Sequence, residues 1–302
     1  MSNVNEYKDI VAYHPGYYIA DIIEDMEISQ AELAKKIDYK YFVDVIGLPI
    51  ARSINEKVAN LCKYFKVADL RIMLQPDFLV NFRSSASCNN EKNIINSRAW
   101  IQTAINTSKS IETKPYNAER LKGYLPELRG MTVKKPEEFL TRMREIFAEC
   151  GVAFVLLPHL KNSGVNGAVK WVSEDRVVLA MNNRGLDADK FWFSLFHEIK
   201  HVLQQKIKTV FISSTVEEMK DINDKLEIEA DKFAMNYLIP PADYKRLAPT
   251  KYTSDDEIVE FAKSIGIHPG IVAGRLQHEG IIAQNRCSKL KEKYVIEIKH
   301  IA

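Results

Sequence analysis

The stretch FWFSLFHEIKHVL, Phe191 to Leu203, contains His197-Glu198-x-x-His201 within an apolar-periodic segment. On a helix that turns about 100° per residue, positions four apart face the same way. Both imidazoles therefore point at one spot, and Trp192, Leu195, Ile199 and Val202 form an apolar stripe on the other side. Two neutral histidines at this spacing suit a tetrahedral Zn²⁺. Glu198 is rotated off the ligand axis, where it can act as a general base towards a water molecule. The bland alternative is a buried helix that happens to hold two histidines. In a chain with 7 histidines this motif seldom arises by chance.

Two ligands do not complete such a site, so a third must come from another element. LEIEADKFAMNYLIPP, Leu226 to Pro241, is a second helical pattern stopped by two prolines. Glu227 shares a face with Ala230, Asp231, Ala234 and Leu238, and the two alanines would let this helix press closely on the first. Glu227 is the expected third ligand and Glu229, which points away beside Phe233, the minority alternative. Asp231, one turn on, is placed to orient His197 or His201 from behind the ligands.

These two stretches, HEIKH and EIEADKFAMNYLIP, resemble the ImmA/IrrE family of zinc metallopeptidases, gluzincin-like enzymes whose third ligand is a Glu on the next helix. The resemblance extends from about Gly151 to Gly280, through GVAFVLLPHL, NGAVKW and GIHPGIVAGRLQHEGII. Lys200 departs from the small residue usual there, but lies off the ligand face. The resemblance implies a cytoplasmic protease acting on a regulatory protein, a DNA-binding repressor or antitoxin, in a stress, phage or toxin–antitoxin response.

Composition bounds the rest. The chain has 302 residues, 46% hydrophobic and 27% charged, with net charge +2. That is the composition of a soluble globular protein of about two domains, without the basic excess of a general nucleic-acid binder. No segment is apolar and long enough to cross a membrane, and MSNVNEYKDIV is no signal peptide. Cys62, Cys88, Cys150 and Cys287 lack metal-site spacing and read as reduced thiols of a cytoplasmic protein.

Residues 1–75 predict short helices. One covers Gly16 to Met26; another opens at Ser29, whose capping box is completed by Glu32. HPG and SQAELA resemble the opening of HigA-type antitoxins of the XRE helix-turn-helix class. A polar recognition helix should follow, yet Tyr39 to Ile46 is short, aromatic and apolar, so sequence-specific DNA binding is not expected of this abbreviated element. Lys35, Lys36, Lys40 and Arg52 read as a solvated face. Ser53 with Glu56 is expected to cap a further helix. Residues 76–135 read as a helical connector and spacer, broken at Ser84 to Asn90. Its Phe82-Arg83 pair, leading into Trp100, resembles the linker of HigA-like/ImmA-IrrE fusions.

Residues 136–302 predict an α+β, minimal zincin-like domain with a small mixed or antiparallel sheet. Helices are expected at Pro136–Glu149, Asp255–Ser264 and Pro269–Glu279. Strands are expected at Val152–Leu157, Ala168–Val172, Arg176–Met181 and, from period-two alternation, around Tyr294, Ile296 and Ile298. Asn166 to Trp171 is the expected edge strand for an extended peptide. Tyr237, Arg275, His278 and Asn166 are candidate contacts to substrate or oxyanion, unranked by sequence. His159, His268 and His300 are further ligand candidates, more often structural. The expected set is Zn²⁺ on His197, His201 and Glu227 with Glu198 as base. Set against it are a non-catalytic, antitoxin-like regulator using the zincin fold as a scaffold, and an enzyme kept latent by its N-terminal segments. Homo-oligomerisation stays open.

Overall fold

In the computed structural model the described residues are 5–7, 10–12, 28–74, 81–84, 91–182, 187–204, 216–294 and 296. The expected helix at Gly16–Met26, together with Ile298 and His300, lies outside them. β1 (Asn5–Tyr7) and β2 (Ile10–Ala12) form a separate antiparallel pair. α1 (Gln30–Lys36) starts where its capping box predicts: Glu32 N–H donates to Ser29 Oγ at 3.2 Å, and Ser29 N–H donates to Glu32 at 2.9 Å. Tyr39 to Ile46 is a single short turn running into a π-helical turn, with Tyr41 and Phe42 buried. Ser53 caps α2 (Ile54–Phe65) through Glu56 N–H, but the Glu56 carboxylate takes Arg52 N–H at 2.6 Å, so the box is not closed.

A mixed four-stranded sheet organises the remainder. β3 is Asn81–Ser84, β4 Val152–Leu157, β5 Val165–Ser173 and β6 Arg176–Asn182, in the order β3-β5-β6-β4. β5 and β6 form the expected hairpin, β4 lies parallel to β6, and β3 runs antiparallel to β5. This corrects the reading of Asn166–Trp171 as an edge: β3, from a segment read as connector and break, pairs along it.

All of β4 is buried because both faces of the sheet are covered. Val152, Phe154 and Leu156 enter one core with Val169, Val177 and Leu179. The intervening Ala153, Val155 and Leu157 enter a second core with Ala168, Val178 and Ala180. α1, α2 and α3 (Glu91–Ser108) close that second face, burying Leu33, Phe42, Leu61 and Trp100. The Trp100 indole also donates to Pro158 O at 3.0 Å. The connector is therefore part of a core, beyond the spacer role its polar sequence suggested.

The first face is covered by α4 (Ala118–Gly130), α5 (Pro136–Glu149), α6 (Ala188–Leu203), α7 (Val216–Leu238), α8 (Pro241–Leu247), α9 (Asp255–Ile265) and α10 (Pro269–His278). α6 is pinned along its length. Asp189 in its first turn pairs with Lys291 at 2.8 Å, Trp192 donates to Tyr294 Oη at 2.8 Å, and Val202 O accepts from Tyr116 at 3.2 Å. Tyr294 and Ile296 are buried as their alternation predicts. The expected terminal strand reduces, among the described residues, to a single bridge between Lys293 and Asp187.

Candidate metal centre

α6 and α7 are cores as much as ligand carriers. Trp192, Leu195, Ile199 and Val202 are fully buried, so the histidine side of α6 is fixed in rotation by packing on the other side. Ala230 and Ala234 of α7 are fully buried as well, and small residues there permit close approach of the two helices. Phe196 stacks on Tyr237 with ring centroids 5.3 Å apart, locking α6 against α7 beyond the ligands.

This packing brings His197, His201 and Glu227 together, their ligand atoms within 4.8 Å of one another. The two Nε2 atoms are 2.9 Å apart. Glu227 places one oxygen 3.2 Å from His197 Nε2 and the other 3.2 Å from His201 Nε2. Lone pairs converging this closely favour a cation between them. Zinc–ligand bonds of about 2.0–2.1 Å in a tetrahedron imply ligand separations of about 3.3 Å, near the observed spacing. The donor set therefore fits Zn²⁺. Burial raises the Glu227 carboxyl pKa, but the hydrogen bonds and charge of His197 and His201 outweigh this and bring it down to about 2. Glu227 is thus ionised at neutral pH, as a ligand must be. Glu229 lies outside this cluster, exposed, 3.5 Å from Lys200 Nζ.

The histidines are held from behind. With Nε2 turned to the ligand cluster, His197 Nδ1–H donates to Asp231 Oδ1 at 2.8 Å. His201 Nδ1 is held at 2.8 Å by Gln204 Oε1. Gln204, whose amide nitrogen also lies 3.3 Å from Leu226 O on α7, was not singled out in the sequence. Its position three residues after His201, on the same helical face, was the available signal.

Glu198 is fully buried and packs against the β5 backbone at Gly167. A Cβ at Gly167 would lie 2.7 Å from both Cγ and Oε1 of Glu198. The backbone at Gly167 has no left-handed φ, so the glycine is required for space alone. This second residue was also missed: a glycine within a strand signals close approach of something, without saying of what.

The unranked candidates separate. Asn166 and His278 line a cavity of about 370 Å³ beside α6, together with Ser194, one turn before Glu198, and Met235, one turn after Asp231. Arg275 also lines it, but its guanidinium caps α7 by donating to Met235 O at 3.2 Å and Ile239 O at 3.0 Å. It also pairs with Glu279 at 2.9 Å and lies over the Tyr244 ring. Tyr237 is packed between Phe196 and Phe233 and does not line that cavity. His268 caps α10, accepting from Gly270 N–H at 3.0 Å, and sits 3.4 Å from Glu292. Burial lowers its pKa, against the pull of Glu292, as in a structural histidine. His159 lies just after β4. Among the described residues, no second cluster of metal-ligating side chains forms.

No helix among the described residues is long and apolar enough to cross a membrane. None of the curated proteins matches the chain. Residues 156–277, which run from β4 to the last turn of α10 and contain every residue of the centre, match the family model of the IrrE N-terminal-like domain, Peptidase_M78, a metallopeptidase-type domain.

Proposed function

We propose that this chain is a zinc-dependent endopeptidase that cleaves a regulatory protein of the repressor or antitoxin type inside the cell. The observation that carries the reading is the convergence of His197, His201 and Glu227 beside a buried Glu198. A structural zinc site has no use for a buried carboxylate next to its ligands, whereas hydrolysis needs one as a proton carrier.

In this reading His197, His201 and Glu227 hold Zn²⁺, which supplies Lewis acidity for a peptide carbonyl and for water. Glu198 accepts the proton of the attacking water and returns it to the leaving amine. Asp231 and Gln204 keep the imidazoles in the tautomer that offers Nε2. Gly167 leaves the room in which Glu198 stands. The cavity lined by Asn166, Ser194, Met235 and His278 ends one turn of α6 short of Glu198, which does not line it, and would receive a substrate side chain. Arg275 and Tyr237 act in support, the first as a cap on α7 and the second as packing.

Residues 136–302 supply this chemistry, while α1, α2 and α3 cover the second face of the sheet and α4 joins the helices on the first. The abbreviated helix-turn-helix resemblance in 1–75 is a folding unit in this reading rather than an operator reader, since Tyr41 and Phe42 after α1 are buried.

Metal content tests the ligand set. The purified chain should carry about one Zn²⁺. Glu227→Ala should lose most of it and Glu229→Ala should keep it; full occupancy in Glu227→Ala would move the third ligand elsewhere. Capture of partners on Glu198→Gln from host cells should identify the substrate, since an uncleaved protein stays bound.

A further inference from the structure

We propose that Asn81–Ser84 is an internal occupant of the substrate strand position, and that the peptidase stays closed until this strand is displaced. The inference rests on the peptidase reading and adds its regulation. One edge of β5 is taken by β6 and the other by β3, antiparallel, with Asn81 opposite Val169, Phe82 opposite Ala168 and Ser84 opposite Val165. The last two pairs bracket Gly167, where an added Cβ would lie 2.7 Å from Glu198. β3 therefore lies along the edge of the strand that packs against Glu198, the position an extended substrate would take in this reading.

Three features mark β3 as a replaceable occupant. It lies outside the matched domain, which begins at residue 156, so within that domain β5 is itself an edge. It is only 4 residues long, and its register breaks between Phe82 and Ser84. Its backbone pairing is also the mode by which an extended peptide adds to a sheet edge, where main-chain hydrogen bonds give affinity regardless of sequence. An unfolded or extended segment of a partner protein would compete for the same bonds.

The test uses the full-length, zinc-loaded chain. Phe82→Pro removes a backbone N–H from β3 and disfavours its pairing. Phe82→Cys with Ala168→Cys, in a Cys88→Ser background, places cysteines at a directly opposed pair, and Ala168 faces the second core, away from Glu198. Cleavage of fluorescein-labelled casein should rise about tenfold in Phe82→Pro, and the oxidised double-cysteine form should cleave about tenfold less than the same protein reduced. Binding is read separately in the Glu198→Gln background with a labelled peptide of residues 78–87. Phe82→Pro should bind it most tightly, the parent and the reduced double-cysteine form about tenfold more weakly, and the oxidised form not at all.

Equal peptide binding by open and closed forms, or binding by none of them, overturns the proposal. So does casein cleavage that is unchanged or lower in a Phe82→Pro protein of native circular dichroism and zinc content. If Phe82→Pro does not fold, the oxidised and reduced double-cysteine pair decides alone. If no form cleaves casein but the peptide pattern holds, the occlusion stands and the peptidase reading fails.

Discussion

At the scale of single residues, the site depends on what stands behind the ligands. Glu198 is buried, and a Cβ added at Gly167 would lie 2.7 Å from its Cγ and Oε1, so a methyl group there forces something to shift. Gly167→Ala should push the Glu198 side chain off its position. Proteolysis should drop at least tenfold through kcat, while zinc content and ligand geometry stay as they are. Native-like cleavage by Gly167→Ala would show that Glu198 can work from another rotamer. Asp231 and Gln204 each hold one imidazole by its Nδ1 at 2.8 Å. Removal of such a partner typically weakens metal binding 10–100-fold, so Asp231→Ala and Gln204→Ala should both release zinc to a chelator more readily. Release should also be faster at lower pH, because protons compete with the metal for the ligand atoms. A chelator titration at pH 7 and 6 reads both effects.

At the scale of elements, the geometry of the centre is set by the distance between α6 and α7. Ala230 and Ala234 are fully buried between them, and Phe196 and Tyr237 stack at the same interface. Ala234→Leu should cost roughly 1–3 kcal/mol by overpacking and draw Glu227 away from the histidines. Thermal unfolding and zinc content should therefore fall together; a stable variant with full zinc would mean that α7 can shift without losing its ligand.

These helices were legible in the sequence because burial, capping and ligand spacing agree: α5, α9, α10 and β4 fall within a residue or two of their expected bounds. Other elements were hidden by conflicting local signals. α4 carries Pro126 inside it, which reads as a helix breaker. β3 consists of Asn-Phe-Arg-Ser, too short to show a period, and its pairing with β5 joins segments about 85 residues apart by chain number, which no local pattern reports. The convergence of His197, His201 and Glu227 was readable from spacing, whereas Gln204 and Gly167 matter through contacts made only in the folded chain.

At the scale of the whole molecule, one sheet carries two cores. Its first face, with α6 and α7, holds the centre; its second is closed by α1, α2 and α3, all before residue 110. The N-terminal segments are thus bound to the sheet whose strand β5 packs against Glu198, which gives them a physical route to influence the site.

The account as a whole depends on Glu198 being a base rather than a core residue. Glu198→Gln keeps the size and a hydrogen-bonding tip and removes only the proton acceptor. The decisive measurement is cleavage by wild type and Glu198→Gln in the Phe82→Pro background, with zinc content and melting temperature taken on the same samples. The account predicts unchanged zinc and melting temperature, with cleavage lower by a factor on the order of 10² or more in the Gln form. Equal cleavage by the two forms, with zinc retained in both, would contradict it.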